Sequence, residues 1–268
     1  MDTSAGISLG PSATLLCVLN GGDPRVAARV HGYRDLVAAP VRPEPEPARQ
    51  GGLAGLIGRF AGGKRTPESA DTRFPFARAG ALLRDLMAAT PPGEPRRVCV
   101  AVPAWANDVQ RQQVATGARE AGWELIALCN EPTAAAMASG LLRDGDGTAL
   151  VYDLAADHFD VTIVAFRGID FEVLASDGLL NQDASVPLQQ RLADTTAPCK
   201  RALAYANLDA AHIDSVVLVG DATRETQTVD FVTTLFGKAP ITRFDPEEVT
   251  AIGAAVHASL LEMRKASG

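Results

Sequence analysis

Aromatic residues make up only 5% of the 268 positions, and lysine plus arginine (25) fall short of aspartate plus glutamate (32). The resulting charge of -7 disfavours nonspecific attraction to nucleic acid or to anionic lipid, and no basic block offsets it. No stretch reaches the roughly 18 consecutive apolar residues that a spanning helix needs, so no membrane segment is expected. The opening MDTSAGISLG has no apolar run of the secretory kind, which makes a cytoplasmic location the expectation. Cysteine is scarce as well. Cys17, Cys99, Cys129 and Cys199 are far apart and form no C-x-x-C pair, so they read as reduced core thiols rather than metal ligands.

What is present is a 47% hydrophobic chain, long enough for one large core or two smaller ones. Gly6 to Leu9 and Thr14 to Leu19 read as the two arms of a hairpin around a glycine-bearing loop. Four prolines between Pro40 and Gly52 predict an extended connector. Phe76 to Ala88 has helical spacing and leads to a strand at Arg97 to Val102. Asn107 and Gln110 form a capping-box pattern for a helix over Asp108 to Ala121, with Gly122 suited to its left-handed end. Trp123 to Leu128 is a second strand, after which Asn130 is a candidate cap and Pro132 a first helical residue.

Ala149 to Asp153, Phe159 to Phe166 and Ile169 to Ala175 alternate in the manner of a three-strand antiparallel meander. A helix over Pro187 to Asn207, a strand at Ser215 to Val219, and helices over Glu225 to Phe236 and Pro246 to Arg264 complete the pattern. Two meander-plus-helix halves, each with a glycine-containing first turn, imply a duplicated architecture with a cleft between halves.

The stretch from Val98 to Leu141, VCVAVPAWANDVQRQQVATGAREAGWELIALCNEPTAAAMASGL, resembles the most recognisable segment of the heat shock protein 70 (DnaK-type) chaperone family. LVYDLAADHFDVTIV is similar to that family's second phosphate loop, FEVLASDG to the strand after it, VVLVGDATR to its adenine-side loop, and DPEEVTAIGAAVHASLL to its closing helix. GISLGPSAT and GLIGRF extend the likeness to most of the chain. The resemblance implies an α/β, two-lobed actin-like ATPase (ribonuclease H-like) fold with reduced peripheral subdomains. Lobe I would span 1–142, with the helix at 246–264 packing back on it, and lobe II 147–245. No peptide-binding domain is expected within the sequence.

By the same resemblance ATP or ADP and magnesium are the implied cofactors, and a chaperone, co-chaperone or assembly factor the implied protein partner. Glu131, Asp153 and Asp160 would be the catalytic carboxylates, organising magnesium-bound and attacking water, with Asp153 and Asp160 nearest the metal. Gly10, Ser12, Asp153, Gly220, Thr223 and Arg224 would line the nucleotide site. Each loop nevertheless departs from the family pattern. Its G-I-D-L-G-T-T reads Gly6-Ile7-Ser8-Leu9-Gly10-Pro11-Ser12 here, and its catalytic lysine falls at Ala54 when the chain is aligned on Gly58 and Arg59. D-L-G-G-G-T-F-D becomes Asp153-Leu154-Ala155-Ala156-Asp157-His158-Phe159-Asp160, and G-G-S-T-R becomes Gly220-Asp221-Ala222-Thr223-Arg224.

Left-handed backbone at Ala155 and Ala156 would cost about 1 kcal/mol or more each. Asp157 and Asp221 would turn carboxylates toward an anionic ligand. Between Gly178 and Pro187 the chain is too short for the subdomain that clamps adenine in the family. These departures lead to the expectation of a pseudo-ATPase scaffold, with a weak ATPase as the alternative and a sugar or acid kinase of the same superfamily as a third. His158 is expected to be a solvated loop residue, Arg111 and Arg119 to lie on a solvated helix face, and Trp105 and Trp123 to be core or lobe-interface residues.

Overall fold

The computed structural model describes residues 3–33, 74–138, 146–156, 158–167, 170–180 and 185–267. The proline-rich connector, Ala54, Gly58, Arg59 and Asp157 lie outside the described residues. Two mixed sheets form the framework. The first contains β1 (Thr3–Leu9), β2 (Ala13–Asn20), β3 (Asp23–His31), β4 (Arg97–Val102) and β5 (Glu124–Asn130), in the order β3-β2-β1-β4-β5. The second contains β6 (Gly147–Leu154), β7 (His158–Arg167), β8 (Asp170–Leu180) and β9 (Ser215–Val219), in the order β8-β7-β6-β9. Each begins as an antiparallel meander whose first strand then pairs parallel with a strand arriving through a helix, β1 with β4 and β6 with β9. The two halves share this wiring, as the two-lobed actin-like class requires.

β1 and β2 are buried along almost their whole length because both faces of the first sheet are covered. Ile7, Leu9 and Leu16 join Leu82, Leu83 and Leu86 of α1 (Ala79–Ala89) and Val114 of α2 (Asp108–Glu120) on one face. Leu15 and Cys17 point the other way. There they meet Ala135 of α3 (Glu131–Ala138), Ile252 of α6 (Val249–Ser267), and Val151 and Val164 of the second sheet. The far face of that sheet is closed by α4 (Leu188–Tyr205) and α5 (Thr226–Phe236), through residues such as Leu192, Cys199 and Val232.

Local rules explain most boundaries. The Asn107 side chain accepts from the Gln110 amide, Gln110 returns the bond to the Asn107 amide, and Gly122 follows the helix at φ 92°. The segment from Phe76 opens as a 3-10 turn before becoming α1, and the last helix starts at Val249 rather than Pro246. Asn130 ends β5, and its side-chain oxygen accepts a bond from Arg111. Arg111 is therefore no solvated residue: its Nε also donates to the Ala106 carbonyl at 3.0 Å, tying α2 to the start of α3. Arg119 is exposed as expected. Trp123 is buried and donates its indole N–H to the Leu83 carbonyl at 2.9 Å, whereas Trp105 stacks edge-on against Phe76.

All four cysteines are free and buried, and burial pushes the Cys17 and Cys199 thiols up to about 12. No described helix is long and apolar enough to cross a membrane.

Small residues allow α6 to lie almost in contact with its neighbours. A Cβ on Gly253 would sit 1.7 Å from the Ala134 carbonyl oxygen, and one on Gly6 would sit 2.1 Å from the Ala255 amide nitrogen. Gly253→Ala is therefore expected to destabilise the protein by about 3 kcal/mol, at the upper end for overpacking. Thermal melting should register this as a loss of about 6 to 12 °C in Tm.

Candidate functional site

Three strand ends and two helix starts converge on one cleft between the sheets. A cavity is lined by the β1–β2 loop at Gly10, Pro11 and Ser12, the first residue of α3 at Glu131, and Asp153, Ala155, His158 and Asp160 around the β6–β7 turn. Gly220 and Asp221 after β9, with Glu247 and Thr250 at the start of α6, close it. Trp105, Tyr33 and Phe74 supply an apolar wall. A second hollow shares Glu131, Asp153 and Asp160 and extends toward Asp177 and Gly178.

The backbone sets these positions. Asp153 and Asp160 are direct cross-strand partners in the β6–β7 ladder, so their side chains leave the same face of the sheet. Glu131 enters as α3 begins, where the helix dipole favours a carboxylate. Gly220 adopts φ 92°, and a Cβ there would meet the Leu154 carbonyl at 2.4 Å and an Asp153 carboxylate oxygen at 2.9 Å. No other residue fits that position without displacing Asp153.

Six of the eight sequence-derived site residues, Glu131, Asp153, Asp160, Gly10, Ser12 and Gly220, line this cavity. Thr223 and Arg224 do not. Thr223 is buried and donates its hydroxyl to the Gly220 carbonyl at 2.7 Å. Arg224 clamps Asp245 at 2.6 and 2.7 Å and Glu247 at 3.0 Å, and Arg29 of β3 reaches the same Glu247 at 2.7 Å. His158 is buried in the cleft wall rather than solvated, because as the first residue of β7 it pairs with Leu180 of β8.

The loops are closed on themselves. The Gly10 amide donates to the Ala13 carbonyl at 2.9 Å, and the Ala155 amide to the His158 carbonyl at 3.1 Å. The Thr223 amide donates to the Gly220 carbonyl at 3.2 Å, and Pro11 has no N–H. Ala155 and Ala156 are outside the positive-φ region, so the left-handed strain expected of them does not arise. The buried Arg191 guanidinium donates to the Ala155 carbonyl and fixes the β6–β7 turn from below. Among the described residues lining the cavity there are five carboxylates, one histidine and no lysine or arginine.

The profile of the family described as Hsp70 protein matches residues 91–181 and 187–267, well over half of the sequence. The chain belongs to the Hsp70 family. The match is interrupted at residues 182–186. The chain is 32% identical over 230 residues to the chaperone protein HscA homolog of Haemophilus influenzae (strain PittGG), covering 63% of this chain and 37% of that protein. It is 33% identical over 232 residues to chaperone protein HscA of Shigella flexneri serotype 5b, covering 63% and 38%. The match to chaperone protein HscA of Serratia proteamaculans is 27% identical over 358 residues, covering 96% and 58%. That last span is longer than the whole 268-residue chain, so the relative carries internal segments with no counterpart here. The chain spans between about a third and three fifths of the length of these relatives.

Like charges directly opposed across a ladder destabilise it by about 0.2 to 1 kcal/mol. Asp160→Asn should therefore raise Tm by about 1 to 3 °C in metal-free buffer and abolish any stabilisation by magnesium. Melting curves with and without magnesium check both effects.

Proposed function

We propose that this Hsp70-family domain is a pseudo-ATPase that acts as a protein-interaction or chaperone-regulatory scaffold, its partner being a chaperone, co-chaperone or assembly factor. One observation supports this reading above the others: the cavity where a nucleotide would sit is lined by Glu131, Asp153, Asp160, Asp221 and Glu247 and, among the described residues, by no lysine or arginine. Glu247 is paired with Arg29 and Arg224; each of the other four carboxylates would repel a triphosphate by about 1 to 4 kcal/mol at 4 Å, from bulk-water to surface-like dielectric. Each 1.4 kcal/mol is about a tenfold loss of affinity. The Gly10, Ala155 and Thr223 amides are hydrogen-bonded within their own turns.

Turnover is more demanding than binding, because phosphoryl transfer needs a fixed cation beside the developing charge. The sequence has alanine, Ala54, at the position that aligns with the family lysine.

Magnesium fits the residues better than the nucleotide does. Asp153 and Asp160 emerge side by side and Glu131 faces the same cavity, a set suited to holding the ion through its water shell. Bound there, the ion would supply positive charge to an otherwise acidic cleft. This arrangement favours the second reading, a weak ATP-binding or ATP-hydrolysing chaperone component, in which Glu131, Asp153 and Asp160 orient water.

Calorimetric titration with ATP and ADP, with and without magnesium, separates the two readings. The expected result is no saturable nucleotide heat up to millimolar concentration and no nucleotide-dependent change in Tm. A magnesium-dependent Kd in the micromolar range overturns the pseudo-ATPase reading and moves attention to turnover by Glu131→Ala and Asp153→Ala.

A further inference from the structure

Away from the cleft, the other face of the first sheet brings together three residues that are remote in sequence. Cys99 on β4 and Cys129 on β5 project from the same side of adjacent parallel strands, since Cys99 pairs with Ala127, and Ala101 with Cys129. His257 comes down onto them from α6. The Cys99 sulfur lies 3.6 Å from His257 Nδ1, and the ligand atoms of all three residues lie within 4.8 Å of one another. The surroundings are apolar and small: Ala101, Ala134, Ala254 and Ala258. Both cysteines are buried and His257 is partly exposed, which leaves one approach from solvent.

We propose that Cys99, Cys129 and His257 form a zinc-binding site that staples α6 to the first sheet. The spacing agrees with this ion. Zinc at about 2.3 Å from sulfur and about 2.05 Å from nitrogen, with tetrahedral angles, separates those two atoms by about 3.6 Å. The donor set of two sulfurs and one imidazole is of the soft-to-borderline type that zinc favours over magnesium or calcium. Charge points the same way, because two thiolates, a neutral imidazole and a divalent ion sum to zero. A neutral complex is the one that an alanine-lined pocket accommodates at least cost.

On binding, the two thiol protons leave to solvent, each sulfur donates a lone pair to the ion, and His257 donates the Nδ1 pair. The fourth position is open to water from the side on which His257 is exposed. Cys129 gives up its weak bond to the Val100 carbonyl, 3.9 Å away, in exchange.

Reduced, metal-free protein titrated with zinc tests the assignment, using elemental analysis after gel filtration and cobalt(II) as a spectroscopic probe. The expected outcome is one zinc per chain and thiolate-to-cobalt charge-transfer absorption of tetrahedral character. Zinc at a thousandfold excess over Kd should raise Tm by about 8 to 16 °C. His257→Gln should weaken zinc at least tenfold while the protein still folds, and Cys99→Ser and Cys129→Ser should abolish the cobalt charge-transfer band. Should the cysteine variants fail to fold, the His257→Gln protein and proton release measured on the unaltered chain still decide. Absence of zinc binding, zinc content unchanged in all three variants, selective uptake of copper(I) without zinc, or a Cys99–Cys129 disulfide in the freshly isolated protein each overturns the proposal.

Discussion

The near-contact of α6 with the first sheet and with α3 is the constraint on which the rest of the molecule depends. Helices usually keep their neighbours at the distance that side chains impose. Here glycine at Gly6 and Gly253, with alanines around them, lets backbone meet backbone. Two consequences follow from that one distance. The start of α6 is carried to the cleft, where Thr250 and the preceding Glu247 become part of its wall. One face of the same helix lies low enough over β4 for His257 to touch Cys99. A bulkier packing face would have lost both arrangements together.

Position and chemistry are separable in this cleft. Asp153 and Asp160 are placed by ladder register, Glu131 by the start of a helix, and Gly220 by a backbone conformation, none of which needs a ligand. Within the turns between them the Gly10, Ala155 and Thr223 amides bond to carbonyls of the same loop, and Arg191 and Thr223 donate to the protein's own backbone. The family fold is kept, and among the described residues the lining of its cavity is acidic. Ion pairs add to this: Glu247 links Arg29 of β3 to Arg224 beyond β9, joining the edge of one sheet to the loop of the other. Each such pair is partly exposed and contributes little alone, so their value lies in fixing one geometry as a network.

Much of the framework was legible because it rests on local rules. The capping box at Asn107, the glycine after α2, the β-branched strand at Arg97 and the alternating meander each declare themselves within a few residues. β3 did not, since Asp23, Pro24, Arg25 and Arg29 interrupt any apolar alternation; it is an edge strand, where proline and charge are tolerated. His158 looked like a turn residue, but its burial comes from pairing with β8, a partner more than twenty positions away. Resemblance placed Thr223 and Arg224 at the ligand, whereas the structure uses them to hold the loop. The two cysteines and the histidine share no spacing that a sequence motif would reveal; the pairing of β4 with β5 and the packing of α6 bring them together.

Arg191 holds the β6–β7 turn through its bond to the Ala155 carbonyl. A buried guanidinium is costly unless its donors are satisfied, and removing a partner from such a group is strongly destabilising. Its bond to the Ala155 carbonyl therefore stabilises the closed turn, and Ala155 in turn donates its amide to His158 across the same four residues. To present that amide to a ligand, the turn would have to break this bond and move the carbonyl that Arg191 holds. In a glycine-rich turn the backbone could rotate with little steric cost, whereas alanine at Ala155 and Ala156 restricts that rotation. The two alanines and the buried arginine thus act in the same direction, each restricting rotation of the backbone at Ala155.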